Sequence, residues 1–224
     1  MPQDTDTVPV RDASTILLIR GTGESARVLM GQRGAKAAFM PDKYVFPGGA
    51  VDRDDAAVPL AHPMPADCTA RLAQGHQMPS ALVAAAIREL WEETGLVLGT
   101  PGTWDNAPAD WQGFAAKGLM PDASGLRYIF RAITPPGRPR RFDARFFLAQ
   151  ADAVAGDLDD FSAACDELSH LHWVPLREAR RLNLPFITEV VLAEAQAHIE
   201  NEALAPSVPF FDNSTDESIF RRIA

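Results

Sequence analysis

Three glutamates, Glu89, Glu92 and Glu93, stand at i, i+3 and i+4 in the run Arg88-Glu89-Leu90-Trp91-Glu92-Glu93-Thr94-Gly95-Leu96. On an α-helix these spacings put all three carboxylates on one face. Like charges so placed repel by about 0.2–0.5 kcal/mol per exposed pair, and a cation between them reverses that penalty. Hard oxygen ligands select Mg2+ or Mn2+, ions that keep several waters and also bind substrate phosphates. A solvated acidic helix face would carry the same spacing, so the neighbours decide. Arg88 is placed to orient a ligand carboxylate. Upstream, Gly48-Gly49 would let a backbone carbonyl approach such an ion.

The elements that must position these groups are legible as well. Pro79 before the run and Gly95 after it are start and stop signals, so a helix is predicted over 80–94. Val83, Ile87, Leu90 and Trp91 fall toward its other side, where they can dock onto a sheet. Strands are predicted at 14–20 and 27–33, joined as a hairpin through Gly21–Ser25, and at 44–46, 125–133, 144–150 and 168–174. Further helices are predicted at 104–117, 177–181 and 187–201. The stretch 52–79, rich in Asp, Ala and Pro, reads as a surface insertion with one helix-like segment at 67–74. Residues 1–12 read as a flexible N-terminus and 206–224 as a patternless tail, leaving a single domain over 13–205.

Composition narrows the partners. The 224 residues suit one domain, and 46% hydrophobic with 23% charged residues is ordinary for a globular chain. A net charge of −9 argues against nucleic acid, whose binders carry a basic stripe. The tight basic cluster here is Arg138, Arg140 and Arg141. Net acidity does not exclude a phosphorylated small molecule, because a bound ion supplies positive charge. Cys68 and Cys165 form no CxxC, which argues against zinc and for reduced thiols. No apolar run is long enough to cross a membrane and the start lacks a signal pattern, so a cytoplasmic protein is expected. Gly21-x-Gly23-x-x-Ala26 imitates a dinucleotide fingerprint, but a strand-like run follows it where that motif requires a helix.

Taken together, Gly49, Arg88, Glu89, Glu92, Glu93 and Gly95, followed by aliphatic Leu96, resemble the Nudix box, G-x5-E-x7-R-E-x-x-E-E-x-G. The box places its first Gly and its Arg 14 positions apart, whereas Gly49 and Arg88 lie 39 apart, leaving 25 extra residues. Counted back eight from Arg88, the upstream box Glu falls on Ser80; it is lost or moved into the insertion, with Asp52 a partial replacement. The segment from Arg33 through Phe39-Met40-Pro41 to Val45-Phe46-Pro47-Gly48-Gly49 resembles the coenzyme A diphosphatase branch, which also carries an insertion inside the box. Arg141–Phe147 and His172–Pro175 fit the same branch.

The resemblance implies an α/β (α+β) fold, a Nudix-type α/β/α sandwich around a mixed sheet. It implies Mg2+ or Mn2+ held by the Gly48 carbonyl, Glu89, Glu92 and Glu93, with Glu89, Glu92 and Arg88 catalytic and Arg33, Phe39 and Asp143 against the substrate. The implied reaction is hydrolysis of a diphosphate linkage, most specifically CoA or acyl-CoA to 3′,5′-ADP and a phosphopantetheine. Other readings are ADP-ribose, dinucleotides or nucleoside triphosphates as substrate, or a silent nucleotide-binding module. The general base is Glu89 on the box or one of Asp143, Asp166 and Glu167 on later segments. Proteins of this family are often homodimers.

Overall fold

The computed structural model describes residues 8–35, 37, 39–75, 78–200 and 207–224. At its centre lies β1 (Val10–Arg20), whose residues Ile16 to Ile19 are wholly buried. It pairs antiparallel with β2 (Arg27–Arg33), as the hairpin reading requires; a short 3-10 turn at Gly23–Ser25 joins them, with no helix after the glycines. On its other side it runs parallel to β8 (Arg141–Gln150), in register from Val10↔Arg141 to Ile19↔Gln150. Such a parallel pair needs a long crossover, and the chain between them supplies it.

With β7 (Arg127–Ile133), β10 (Leu168–Pro175), β11 (Val208–Asp212) and β12 (Ile219–Ile223), the main sheet has the order β10-β2-β1-β8-β7-β11-β12. Two short strands lie off this path: β3 (Tyr44–Val45) on β2 and β4 (Gly48–Ala50) on β1. A second sheet holds β6 (Leu119–Pro121), β5 (Val97–Pro101) and β9 (Val154–Ala155).

Strand alternation splits the core into two layers. Ile16 and Leu18 point to α2 (Pro79–Thr94), packing with Leu82, Ile87 and Leu90. Leu17 and Ile19 point to α4 (Phe186–Glu200), packing with Val191, Leu192 and Ala195. The mixed sheet between helices is the expected sandwich. Helix α2 has Pro79 in its first turn and ends on Gly95 at φ 76°, whose N–H reaches the Trp91 carbonyl at 2.8 Å. A left-handed C′ residue of this kind favours glycine because it has no Cβ to clash.

Five expectations need correction. The insertion is not a surface loop: Val58, Met64, Cys68 and Leu72, the last two on α1 (Ala66–Leu72), sit in the same core layer as α2. It is tied down by Ala61 N–H to the Pro121 carbonyl (2.8 Å) and Ala123 N–H to the His62 carbonyl (3.0 Å). The region 104–117 holds only a 3-10 turn at Ala109–Trp111 and the one-turn helix α3 (Gln112–Ala115), and 177–181 holds a 3-10 turn at Ala179–Arg181. The tail carries two strands, β11 paired parallel to β7 and β12 antiparallel to β11. At the other end, β1 begins at Val10, inside the segment read as loose. The helix predicted to reach Asn201 is described to Glu200; Asn201 lies outside the described residues.

Candidate active site

Arg88 is the hub of α2. It is 4% exposed and all its donors are used. Nε and Nη2 reach the two carboxylate oxygens of Asp55 at 2.9 and 3.1 Å, and Nη2 also reaches the Ala50 carbonyl at 3.0 Å. Nη1 bridges Glu89 (2.9 Å) and Glu92 (3.1 Å). Burial alone would push the guanidinium down; Asp55 and the glutamate charges outweigh it and hold it above its usual value.

Asp55 was not foreseen. Counting back from Arg88 leads to Ser80, which the helix places in its first turn. Counting forward from Gly49 with the box's own five-residue gap leads to Asp55. The insertion therefore begins after the acidic position. A 3-10 turn at Arg53–Ala57 fixes Asp55, whose carboxylate also accepts the Asp52 N–H at 2.8 Å. Asp52 caps that turn and stands 3.6 Å from Arg88, with its side chain 55% exposed, so the buried anchoring role belongs to Asp55.

The glutamates are more enclosed than an acidic helix face would be. Glu93 Oε2 accepts the Gly48 N–H at 2.8 Å, while its Oε1 is buried with no hydrogen-bond partner among the described residues. A Cβ on Gly49 would lie 2.3 Å from Glu89 Oε1, so any side chain there would displace that carboxylate. Burial lifts Glu89 to about 7, against the opposing pull of Arg88. Burial also raises Glu93 well above the usual carboxylate range, with repulsion from Glu89 adding to it, and raises Glu92.

Among the described residues, no three His, Cys, Asp or Glu side chains stand together as a ready ligand group. Arg88 lies between Glu89 and Glu92 and takes the place of a shared cation. The donors nonetheless suit a hard divalent ion. All are oxygens, Glu93 Oε1 lacks a partner, and Glu92 is one-third exposed, so solvent reaches it. The hydrogen bond observed from Gly48 is made by its N–H, not the carbonyl proposed as a ligand.

One cavity of about 960 Å3 adjoins this cluster, with Gly48, Gly49, Glu89, Arg33 and Glu167 on its wall. Arg33, on β2, is bonded to Glu167 at 2.8 Å. Phe39 lines the cavity and packs edge-on against Phe142 of β8, ring centres 5.4 Å apart. Asp143 is not brought to it. Phe142, Ala144 and Phe146 face the cavity, so strand alternation turns Asp143 away. There Arg131 holds it by two bonds of 2.9 and 2.7 Å, and Arg145 stands 3.1 Å away. Asp166 is exposed and does not line the cavity. Cys68 and Cys165 are both raised by burial, which opposes a nucleophilic thiolate.

No family model matches the chain. It is 30% identical over 181 residues to a Caenorhabditis elegans protein provisionally named nudix hydrolase 7, covering 75% of this chain and 52% of that protein. The chain thus spans about half the length of this curated relative. A Nudix hydrolase crystal structure from Alicyclobacillus acidocaldarius superposes with a TM-score of 0.66 at 27% identity, covering 89% of this chain and 100% of that one. A MutT protein from Methanosarcina mazei shares the fold, with a TM-score of 0.50 at 17% identity over 87% and 98% of the two chains.

Proposed function

We propose that this chain, whose sequence and fold likenesses support the Nudix hydrolase superfamily, is a divalent-metal-dependent hydrolase of a diphosphate linkage in a nucleotide-derived small molecule, specifically CoA or acyl-CoA. The observation that carries the reading is the continuity of one cavity. Its wall joins Gly48, Gly49 and Glu89 to aromatic and basic side chains, giving room for a diphosphate and for the two groups it links. Glu89, Glu92 and Glu93 are the residues assigned to hold Mg2+ or Mn2+. When bound, such an ion neutralises the diphosphate and makes a water more acidic.

The chain's own groups have separate tasks. Arg88, locked by Asp55, holds Glu89 and Glu92 in place through its Nη1. Glu89 is assigned as the base because, of the four candidates, it both lines the cavity and sits on the box helix. Glu167 also lines the cavity but is bonded to Arg33. Water oxygen attacks one phosphorus, its proton passes to Glu89, and the bridging P–O bond breaks with the electron pair leaving on the other phosphate. Arg33 is assigned to offset that charge, and Phe39 with Phe142 to pack a base or acyl group, because all three line the cavity.

The test is a mass-spectrometric product assay with CoA, acetyl-CoA, ADP-ribose, NADH and a nucleoside triphosphate in Mg2+ or Mn2+. CoA cleavage to 3′,5′-ADP, absent in a folded Glu92→Gln variant, supports reaction and substrate together. Cleavage of another diphosphate keeps the reaction and rejects the CoA assignment. Full activity in Glu92→Gln rejects the site, and ligand binding without turnover on the whole panel favours the silent module.

A further inference from the structure

The proposed site leaves unused the basic cluster of the sequence. Of its three arginines, Arg141 is 8% exposed and bonded to the carbonyls of Thr134 (3.1 Å) and Asn213 (3.1 Å), so it supports the fold. Arg138 and Arg140 are different. They are exposed and line the same cavity as Gly49 and Glu89, and Arg11 of β1 lines it with them. Among the described residues, none makes a hydrogen bond or ion pair with these three guanidinium groups. The other basic residues of the wall have partners: Arg33 Nη2 bonds Glu167, although its buried Nε bonds none of the described residues, and Lys43 bonds Asn183 at 2.5 Å.

Topology brings the three together. Arg11 is in register with Phe142, two residues past Arg140 and one strand away. Arg138 and Arg140 are two residues apart in the β7–β8 connection, and both lie on the cavity wall. That connection is pinned: Thr134 N–H bonds the Phe142 carbonyl at 2.8 Å, and Phe142 N–H bonds Thr134 Oγ1 at 3.0 Å. Pro136 and Pro139 stiffen it further.

Charge is thereby divided along the cavity. Its acidic wall residues are Glu89 and Glu167, grouped with Gly48 and Gly49. Gly49 is in register with Ser14, three residues beyond Arg11 on β1, which separates the two ends by about 10 Å at the usual strand rise. The carboxylate end suits a cation and the diphosphate it neutralises. The arginine end suits a second, separate anion, and arginine forks match phosphate oxygens well.

We infer that Arg11, Arg138 and Arg140 form an anion subsite for a phosphate monoester carried on the nucleotide part of the substrate, distinct from the scissile diphosphate. The inference rests on the proposed reaction for its location, but its binding test does not need turnover. The full chain is titrated calorimetrically with 3′,5′-ADP and with 5′-AMP, ligands that differ by one phosphate. The wild type is expected to prefer 3′,5′-ADP by about tenfold or more, the effect of one charged hydrogen-bonded contact. In Arg138→Ala/Arg140→Ala that ratio falls toward one, and in the wild type it falls with added salt. Arg11→Ala, on β1 rather than in the β7–β8 connection, is the independent second variant.

Equal affinities in the wild type, or a ratio unchanged in both variants, overturns the subsite. With turnover, the same ratio is read as kcat/KM for CoA against dephospho-CoA. CoA cleavage without discrimination keeps the proposed function and rejects the subsite. Discrimination in binding, lost in the variants, on a protein that cleaves no CoA keeps the subsite and rejects the proposed function.

Discussion

Asp55 grips Arg88 with both carboxylate oxygens, at 2.9 and 3.1 Å, although 33 residues separate them in the chain. Asp55 is 1% exposed and Arg88 4%. Removing one partner of such a pair strands the other charge without solvent, which costs about 3–5 kcal/mol. Asp55→Ala is therefore expected to lower unfolding stability by that order, read in urea melts, and to lower turnover because Glu89 and Glu92 lose their bridging cation's anchor. Asp55→Asn, which keeps the shape and a hydrogen-bonding oxygen, should cost less. A loss below about 1 kcal/mol for the alanine variant would show that the two glutamates compensate Arg88 unaided.

Gly49 is a site residue through its missing side chain. A methyl there would fall within 2.6 Å of three atoms of the Glu89 carboxyl group. What must give is the end of a side chain, so the fold should survive while the carboxylate moves. A displacement near 1 Å at reacting groups costs about 100-fold in rate. Gly49→Ala is expected to lose activity on that scale with an unchanged circular dichroism spectrum. Activity within a few-fold of wild type would mean that Glu89 relocates without consequence and is not the base.

Much of this arrangement was legible in the chain. The 3.6-residue period of Val83, Ile87 and Leu90, bounded by Pro79 and Gly95, fixes α2, and the Gly48-Gly49 pair marks the close approach of β4. Asp55 escaped because the insertion destroys the spacing on which a box is read, except from its Gly side. The role of Asp143 was open to parity: Phe142 and Ala144 flank it on the opposite face of β8. Enclosure of Glu89 and Glu93 could not be read from the helix, since β4 contributes to it through Gly48 and Gly49. The last two strands owe their order to β7 and β11, a tertiary pairing with no local signature.

The insertion bears load in the core. Leu72, on α1, is 2% exposed and packs in the layer that supports α2. Truncating a buried leucine costs about 2–5 kcal/mol, against about 0.5 kcal/mol or less for an ordinary surface position. Leu72→Ala is expected in the first range by urea unfolding, and deletion of 58–78 is expected to give insoluble protein. A cost at the surface level would make the segment a dispensable loop after all.

Protonation of Glu89 gives metal-free protein an unusual pH profile. Burial raises its carboxyl from the ordinary 4.5 to about 7. Below about pH 4.5 it is protonated both folded and unfolded and contributes no difference. Between there and about pH 7 the folded state holds the extra proton, so stability falls as pH rises. At about 1.4 kcal/mol per tenfold change in proton affinity, the full loss is on the order of 3 kcal/mol above pH 7. Glu93 and Glu92, also raised by burial, act in the same direction. In EDTA, the melting temperature is therefore expected to be lower at pH 8 than at pH 6, with a flatter slope in Glu89→Gln. A divalent ion bound by the carboxylates favours their ionised form, so added Mg2+ should raise the melting temperature more at pH 8 than at pH 6. Equal Mg2+ shifts at both pH values would show that the ion does not engage these glutamates.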